Sequence, residues 1–142
     1  MNIPVVVVDD QEVDRYLVKR RLAKADHFDE PVEISNGESL LQEYFSDESQ
    51  CVSDKALLLL IDINMPGLDG FDTLAEIEHR MRDGKGPLDV VVLMITSSGN
   101  INDKKRAEAF SMVKGFISKP LDIDGVQKIT DLYLAYQAEG NS

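Results

Sequence analysis

The 142-residue chain contains a single cysteine, Cys51, no tryptophan and only two histidines, His27 and His79. One cysteine excludes an internal disulfide framework and points to a reducing compartment. With so few Cys and His residues, no zinc-type ligand spacing can be assembled. No apolar run is long enough to span a bilayer. Met1-Asn2-Ile3-Pro4 leads straight into Val5 to Val8 without the basic segment, apolar stretch and cleavage site of an export signal. A cytoplasmic protein with no membrane association is the expectation. Positive charge is scarce as well: 15 Lys and Arg against 26 Asp and Glu leave a net charge of −11. A field of that sign repels phosphate backbones and argues against direct nucleic-acid binding. No glycine-rich loop follows the first apolar run, which excludes a dinucleotide or flavin cradle there.

What is present suits one globular domain, since 43% of the residues are hydrophobic, 29% are charged, and the length matches the commonest domain size. Residues 1–137 are expected to form it. Residues 138–142 are expected to be a flexible tail, because apolar periodicity stops after Tyr136. Strand-length apolar runs at Ile3 to Val8, Pro31 to Ser35, Ala56 to Ile61, Val90 to Ile95 and Gly115 to Ser118 alternate with helix-period stretches. The helices are expected over Glu12 to Lys24, Glu38 to Phe45, Gly70 to Arg82, Asn102 to Ser111 and Asp122 to Tyr136. Val13, Leu17, Arg20 or Arg21 and Ala25 mark the rhythm of the first helix, and Ile123, Val126, Ile129, Leu132 and Tyr133 that of the last. Such alternation predicts an α/β fold with a parallel sheet covered on both faces. The third and fourth strands are continuously apolar and belong in its middle. Ser46 to Lys55 and Asp83 to Leu88, the latter with Gly84-Lys85-Gly86-Pro87, read as surface loops.

The chemistry-bearing residues share one position in this pattern: Asp9-Asp10, Asp62, Thr96 and Lys119 each fall directly after a strand. In a parallel sheet all of them reach the carboxyl edge, where open α/β sheets bind ligands. Three carboxylates there need a cation among them, and hard oxygen ligands suit Mg²⁺. The same arrangement makes a carboxylate a plausible phosphoryl acceptor, with Lys119 and Thr96 available to meet the phosphoryl oxygens. Taken singly, each residue also has a structural reading. Asp10 could be the N-cap of the first helix, Asp62 a loop residue, and Lys119 a solvated lysine ahead of Pro120. Thr96, Ser97, Ser98 or Asn100 could cap the fourth helix.

These residues resemble the receiver domains of two-component response regulators over Ile3 to Tyr136. The matching segments are Val7-Val8-Asp9-Asp10, Asp62-Ile63-Asn64-Met65-Pro66-Gly67-Leu68-Asp69-Gly70, Thr96-Ser97 and Lys119-Pro120. The nine residues from Asp62 are the specific part. The resemblance implies a doubly wound, flavodoxin-like sheet of five strands in the order 2-1-3-4-5. It implies a stand-alone phosphorylation switch rather than an enzyme acting on other substrates. Asp62 would be the phosphoacceptor. Asp10 and Asp62 would bind Mg²⁺, with Asp9 acting through a metal-bound water and Asn64 through its backbone carbonyl. Lys119 would pair with the phosphoryl oxygens, and Thr96 would move toward them while Phe116 rotates inward behind it. The donor would be a histidine kinase or histidine phosphotransfer protein. A downstream protein would read the surface of the fourth helix, fifth strand and fifth helix, and a phosphorylation-dependent dimer through that surface is left open.

The sequence departs from the family pattern in three places. Ser97 stands where the residue is usually very small. Met112-Val113 replaces the turn that usually ends the fourth helix, leaving Gly115 as the candidate for a positive φ. The loops from Ser46 and from Asp83 are long. A haloacid-dehalogenase-like phosphohydrolase would share Asp62, a Thr and a Lys, but needs a second aspartate where this chain has Asn64.

Overall fold

The computed structural model describes residues 2–47, 55–87, 89–97 and 100–140. Cys51, Ser98 and most of the loop after Ser46 lie outside the described residues. The elements follow in strict alternation: β1 (Val5–Val8), α1 (Glu12–Ala23), β2 (Val32–Ile34), α2 (Gly37–Tyr44), β3 (Leu57–Asp62), α3 (Gly70–Arg82), β4 (Val90–Thr96), α4 (Ile101–Ala107), β5 (Val113–Ser118) and α5 (Ile123–Gly140). All the strand pairings are parallel, in the order β2-β1-β3-β4-β5. The α/β architecture is therefore the one the sequence pattern predicts, and the strand order the one the resemblance implies.

The continuous apolar runs feed two cores. Val6, Val8, Leu57, Leu59, Ile61, Val92 and Met94 point to the side covered by α2, α3 and α4, where Leu40, Phe45, Phe71, Leu74 and Ile77 meet them. Their alternates Val5, Val7, Leu58, Leu60, Val91 and Leu93 face α1 and α5, against Val18, Leu22, Val126, Ile129 and Tyr133. Successive strand side chains point to opposite faces, so a sheet covered twice keeps β3 apolar from Leu57 to Ile61 and β4 apolar from Val90 to Ile95, with the polar Asp62 and Thr96 only at the carboxyl edge. Each fully buried Leu or Val there contributes about 1.5–3 kcal/mol.

Several boundaries differ from the periodicity, each for a local reason. Ile3 lies outside β1 and pairs only with Phe28, because Pro4 has no N–H to donate to a ladder. Helix α1 buries Val18 and Leu22, whereas Val13 is 69% exposed and Leu17 also lies at the surface. Two apolar pairs with four-residue spacing, 13/17 and 18/22, run side by side, and the second faces the sheet. Ile123 is likewise 79% exposed, beyond the start of the face that α5 turns to the sheet.

Helix α4 ends at Ala107 rather than Ser111, as the bonds tighten to i→i−3: Glu108 N–H to Lys105 O, Ala109 N–H to Arg106 O, Phe110 N–H to Ala107 O. No left-handed residue ends it. Gly115 is inside β5 and is absent from the positive-φ glycines among the described residues, which are Gly67, Gly84 and Gly86. Its lack of a side chain matters differently, since a Cβ there would come within 2.8 Å of Leu132 Cδ1. Lys114 is an extra residue in the ladder, because Val92 pairs with Val113 and Leu93 with Gly115. Helix α5 continues to Gly140, four residues beyond Tyr136, with Gln137 Nε2 donating to Tyr133 Oη at 3.1 Å.

Candidate functional site

The site is built at the carboxyl edge of β1, β3, β4 and β5. Asp9 follows β1, held there by its own N–H to Ile34 O and by Arg15 Nη1, which donates to its carbonyl at 2.7 Å. Asp9 Oδ1 accepts the Gln11 N–H at 2.9 Å and so turns the chain into α1. Asp10 does not cap that helix. The N-cap is Gln11, without a side-chain capping bond, and among the described residues Asp10 accepts from Gln11 Nε2 at 3.2 Å. Asp9 has already supplied the turn, which leaves the half-buried Asp10 carboxylate turned to the pocket. Asp62 is the last residue of β3 and Thr96 the last of β4, both buried. Lys119 follows β5, its N–H bonded to Thr96 O at 2.9 Å.

One carboxylate oxygen from each of Asp9, Asp10 and Asp62 lies within 4.8 Å of the others. An all-oxygen, triply acidic set of this size fits a hard divalent cation such as Mg²⁺. Lys119 reaches in from the side: its Nζ lies 2.7 Å from Asp9 Oδ2, 3.1 Å from Asp14 Oδ2 and 3.5 Å from Asp62 Oδ2. An open pocket lined by Asp10, Gln11, Asp14, Asp62, Asn64, Ser97, Lys119 and Pro120 gives access from solvent. Burial pushes the Asp62 carboxyl pKa up. Lys119 pulls the other way, the Asp9 charge adds to the rise, and the Asn64 main-chain bond opposes it. For Lys119 burial alone would lower the pKa, but the hydrogen bonds it donates to Asp9 and Asp14 and the charges of Asp62 and Asp9 outweigh it and raise it. The ammonium is therefore charged throughout the physiological range.

The segment after Asp62 is fixed from three directions. Gly70 N–H bonds back to Ile63 O at 2.8 Å, Asp69 and Asp72 form a reciprocal capping box at the start of α3, and Glu38 Oε1 accepts the Leu68 N–H at 3.2 Å from α2. Gly67 takes φ +76° at the turn between them. Asn100, one of the capping candidates, is the N-cap of α4 and accepts from Asn102 N–H at 2.9 Å. Phe116 is half-buried against the core on the α3 and α4 side, and Lys128 Nζ donates to its carbonyl at 2.8 Å.

Asp9, Asp10, Asp62, Asn64 and Lys119 thus meet in one place, with Thr96 at the end of the neighbouring β4 and Phe116 behind them on β5. Arg15, Asp14 and Glu38, all near the site, were not singled out. Asp14 carries a usable signal, being one helical turn after Asp10. Glu38 carries none, because its contact spans 30 positions in the chain.

The family model for the response regulator receiver domain matches residues 5–131. The chain belongs to that family. Among curated relatives of this receiver domain, the two-component response regulator ARR7 of Arabidopsis thaliana is 30% identical over 97% of this chain and 66% of its own length. ORR13 of Oryza sativa subsp. japonica, also a two-component response regulator, is 30% identical over 88% of this chain and 93% of its own. The fold of the receiver domain is shared with a two-component response regulator from Legionella pneumophila, with TM-score 0.73, 24% identity and coverage of 94% and 98%. It is shared too with the Vibrio cholerae chemotaxis protein CheY4, with TM-score 0.68, 20% identity and coverage of 94% and 99%. Receiver domains are signalling switches that bind Mg²⁺ at an acidic cluster and work with histidine kinases or phosphotransfer proteins, and Asp9, Asp10 and Asp62 form such a cluster here. No helix among the described residues is long and apolar enough to cross a membrane.

Proposed function

We propose that Asp62 accepts a phosphoryl group from a phosphohistidine donor and that the phosphorylated form changes which protein the domain binds. The observation that carries this reading is a nucleophilic carboxylate with two further carboxylates in ligand range and an ammonium 3.5 Å away, at the carboxyl edge of the sheet. Asp10, Asp62 and the Asn64 carbonyl would hold Mg²⁺, with Asp9 acting through water. The ion would offset the charge that accumulates when a phosphoryl group meets an acidic pocket. An Asp62 oxygen attacks phosphorus, the bond to the donor imidazole nitrogen breaks, and its electron pair leaves with the imidazole. Lys119 then meets one phosphoryl oxygen, and the Thr96 hydroxyl another.

The position two residues after Asp62, where a haloacid-dehalogenase-like phosphohydrolase needs its second aspartate, is Asn64. This supports a switch rather than a phosphohydrolase. Output through the surface of α4, β5 and α5, and residence in the cytoplasm, belong to the same proposal. The half-buried Phe116 is expected to turn inward on phosphorylation, and paired structures with one rotamer in both states would count against that.

The reading is tested by intact-protein mass spectrometry after incubation with acetyl phosphate and Mg²⁺, with an EDTA control. Addition of one phosphoryl group that requires the metal is the expected result. A folded protein that binds Mg²⁺ yet takes no phosphoryl group, either from acetyl phosphate or from kinases, would overturn it.

A further inference from the structure

Lys119 is shared among more carboxylates than a phosphoryl-binding lysine needs, and the extra one is Asp14. It stands in the first turn of α1, with its Oδ2 3.1 Å from Lys119 Nζ. Asp14 lies outside the group of three carboxylates that close on one another within 4.8 Å. It therefore touches the lysine without belonging to the cation-binding set. Asp9, the nearer partner at 2.7 Å, belongs to both. Its two oxygens are already engaged, Oδ1 by the Gln11 N–H and Oδ2 by Lys119. A divalent cation entering among Asp9, Asp10 and Asp62 draws on the same carboxylate as the ammonium, and the two positive charges repel each other at this range. Lysine is a point charge on a flexible stem of four carbons, so an ammonium that loses its nearest partner swings toward water unless another group retains it.

We infer that Asp14 is a positioning residue: its carboxylate keeps the Lys119 ammonium beside Asp62 when a cation engages Asp9. Asp14 would not touch the transferred group, and its effect would pass entirely through Lys119. The inference rests on the Mg²⁺ and phosphoryl reading of the site, but its test needs no phosphoryl donor.

The test follows the order of the Lys119 ammonium by NMR on protein with ¹⁵Nζ-labelled lysine, with and without Mg²⁺. In the wild type the Lys119 group is expected to stay ordered in both conditions. In Asp14→Asn it stays ordered without metal, because Asp9 still holds it. On addition of Mg²⁺ its order falls to that of the exposed Lys24. Asp14→Glu keeps the charge and is expected to restore order in the Mg²⁺ form. The metal-free arm of Asp14→Asn also reports whether that variant folds. A Lys119 that stays ordered in Mg²⁺-loaded Asp14→Asn, or that is already mobile in the Mg²⁺-loaded wild type, overturns the inference. Failure of the functional reading looks different: a wild type that never takes a phosphoryl group, whatever Lys119 does.

Discussion

Metal-free protein carrying Asp62→Asn is expected to melt at a higher temperature than the wild type at neutral pH. Asp62 is 7% exposed, and burial pushes its carboxyl pKa above the ordinary 3.8. A carboxyl whose folded value exceeds its unfolded value contributes stability that is complete below the unfolded pKa. That contribution is lost as pH rises through the folded one. Ionised Asp62 therefore weakens the metal-free fold, and a neutral amide of the same shape removes the weakness. Lys119 loses only its longest carboxylate contact, 3.5 Å, and keeps Asp9 at 2.7 Å and Asp14 at 3.1 Å. A gain of 1 kcal/mol corresponds to about 4 °C in melting temperature for a domain of this size. Calorimetric scans with EDTA should show a rise of this order, shrinking as the pH is lowered toward the ordinary carboxyl range. Mg²⁺ should raise the melting temperature of the wild type and move the variant much less, since a ligand stabilises the state that binds it. A variant that melts below the wild type in EDTA would mean that Lys119 and Asn64 more than offset the burial of the charge.

Gly70→Ala should do the opposite and damage both stability and phosphoryl uptake. An added Cβ would stand 2.6 Å from Asp62 O and 2.9 Å from Ile63 Cα, and both obstacles are main chain, which cannot rotate aside. Overpacking of this kind costs about 1–3 kcal/mol, and the helix preference of Ala over Gly recovers only part of it. We expect about 2 kcal/mol less stability in denaturant titrations. Phosphorylation should also be slower, because the strain is relieved by moving the carbonyl of the phosphoacceptor itself. Gly84→Ala is the contrast. Nothing lies within 4 Å of its Cβ, and only the φ of 78° resists the change, so phosphoryl uptake should be untouched. A Gly70→Ala protein as stable and as reactive as the wild type would show that the loop after β3 adapts freely.

The legible parts of this molecule are those where one physical demand acts alone. β3 and β4 are buried on both faces and stay apolar up to their last residues, so their place in the sheet is written in Leu57 to Ile61 and Val90 to Ile95. The site residues are legible for a related reason: parallel strands deliver whatever follows them to one edge. The face of α1 is not legible, because Val13 and Leu17 imitate the spacing of Val18 and Leu22. Only the position of the helix against the sheet distinguishes the pairs. The end of α4 is set by i→i−3 turns at Glu108 to Phe110, which no glycine or proline announces. Asp10 looks like a helix cap because it precedes one, yet Asp9 had already made the turn. Glu38 acts across a gap of 30 positions, and no local pattern encodes such a contact.

The central claim is that one particular carboxylate carries the phosphoryl group. Borohydride reduction of protein treated with acetyl phosphate and Mg²⁺ converts an acyl phosphate to an alcohol, turning a phosphorylated aspartate into homoserine that peptide mass spectrometry can locate. Homoserine at position 62, absent in EDTA, is the predicted result. Homoserine at position 9, 10 or 14, or none in protein shown to bind Mg²⁺, would contradict the account.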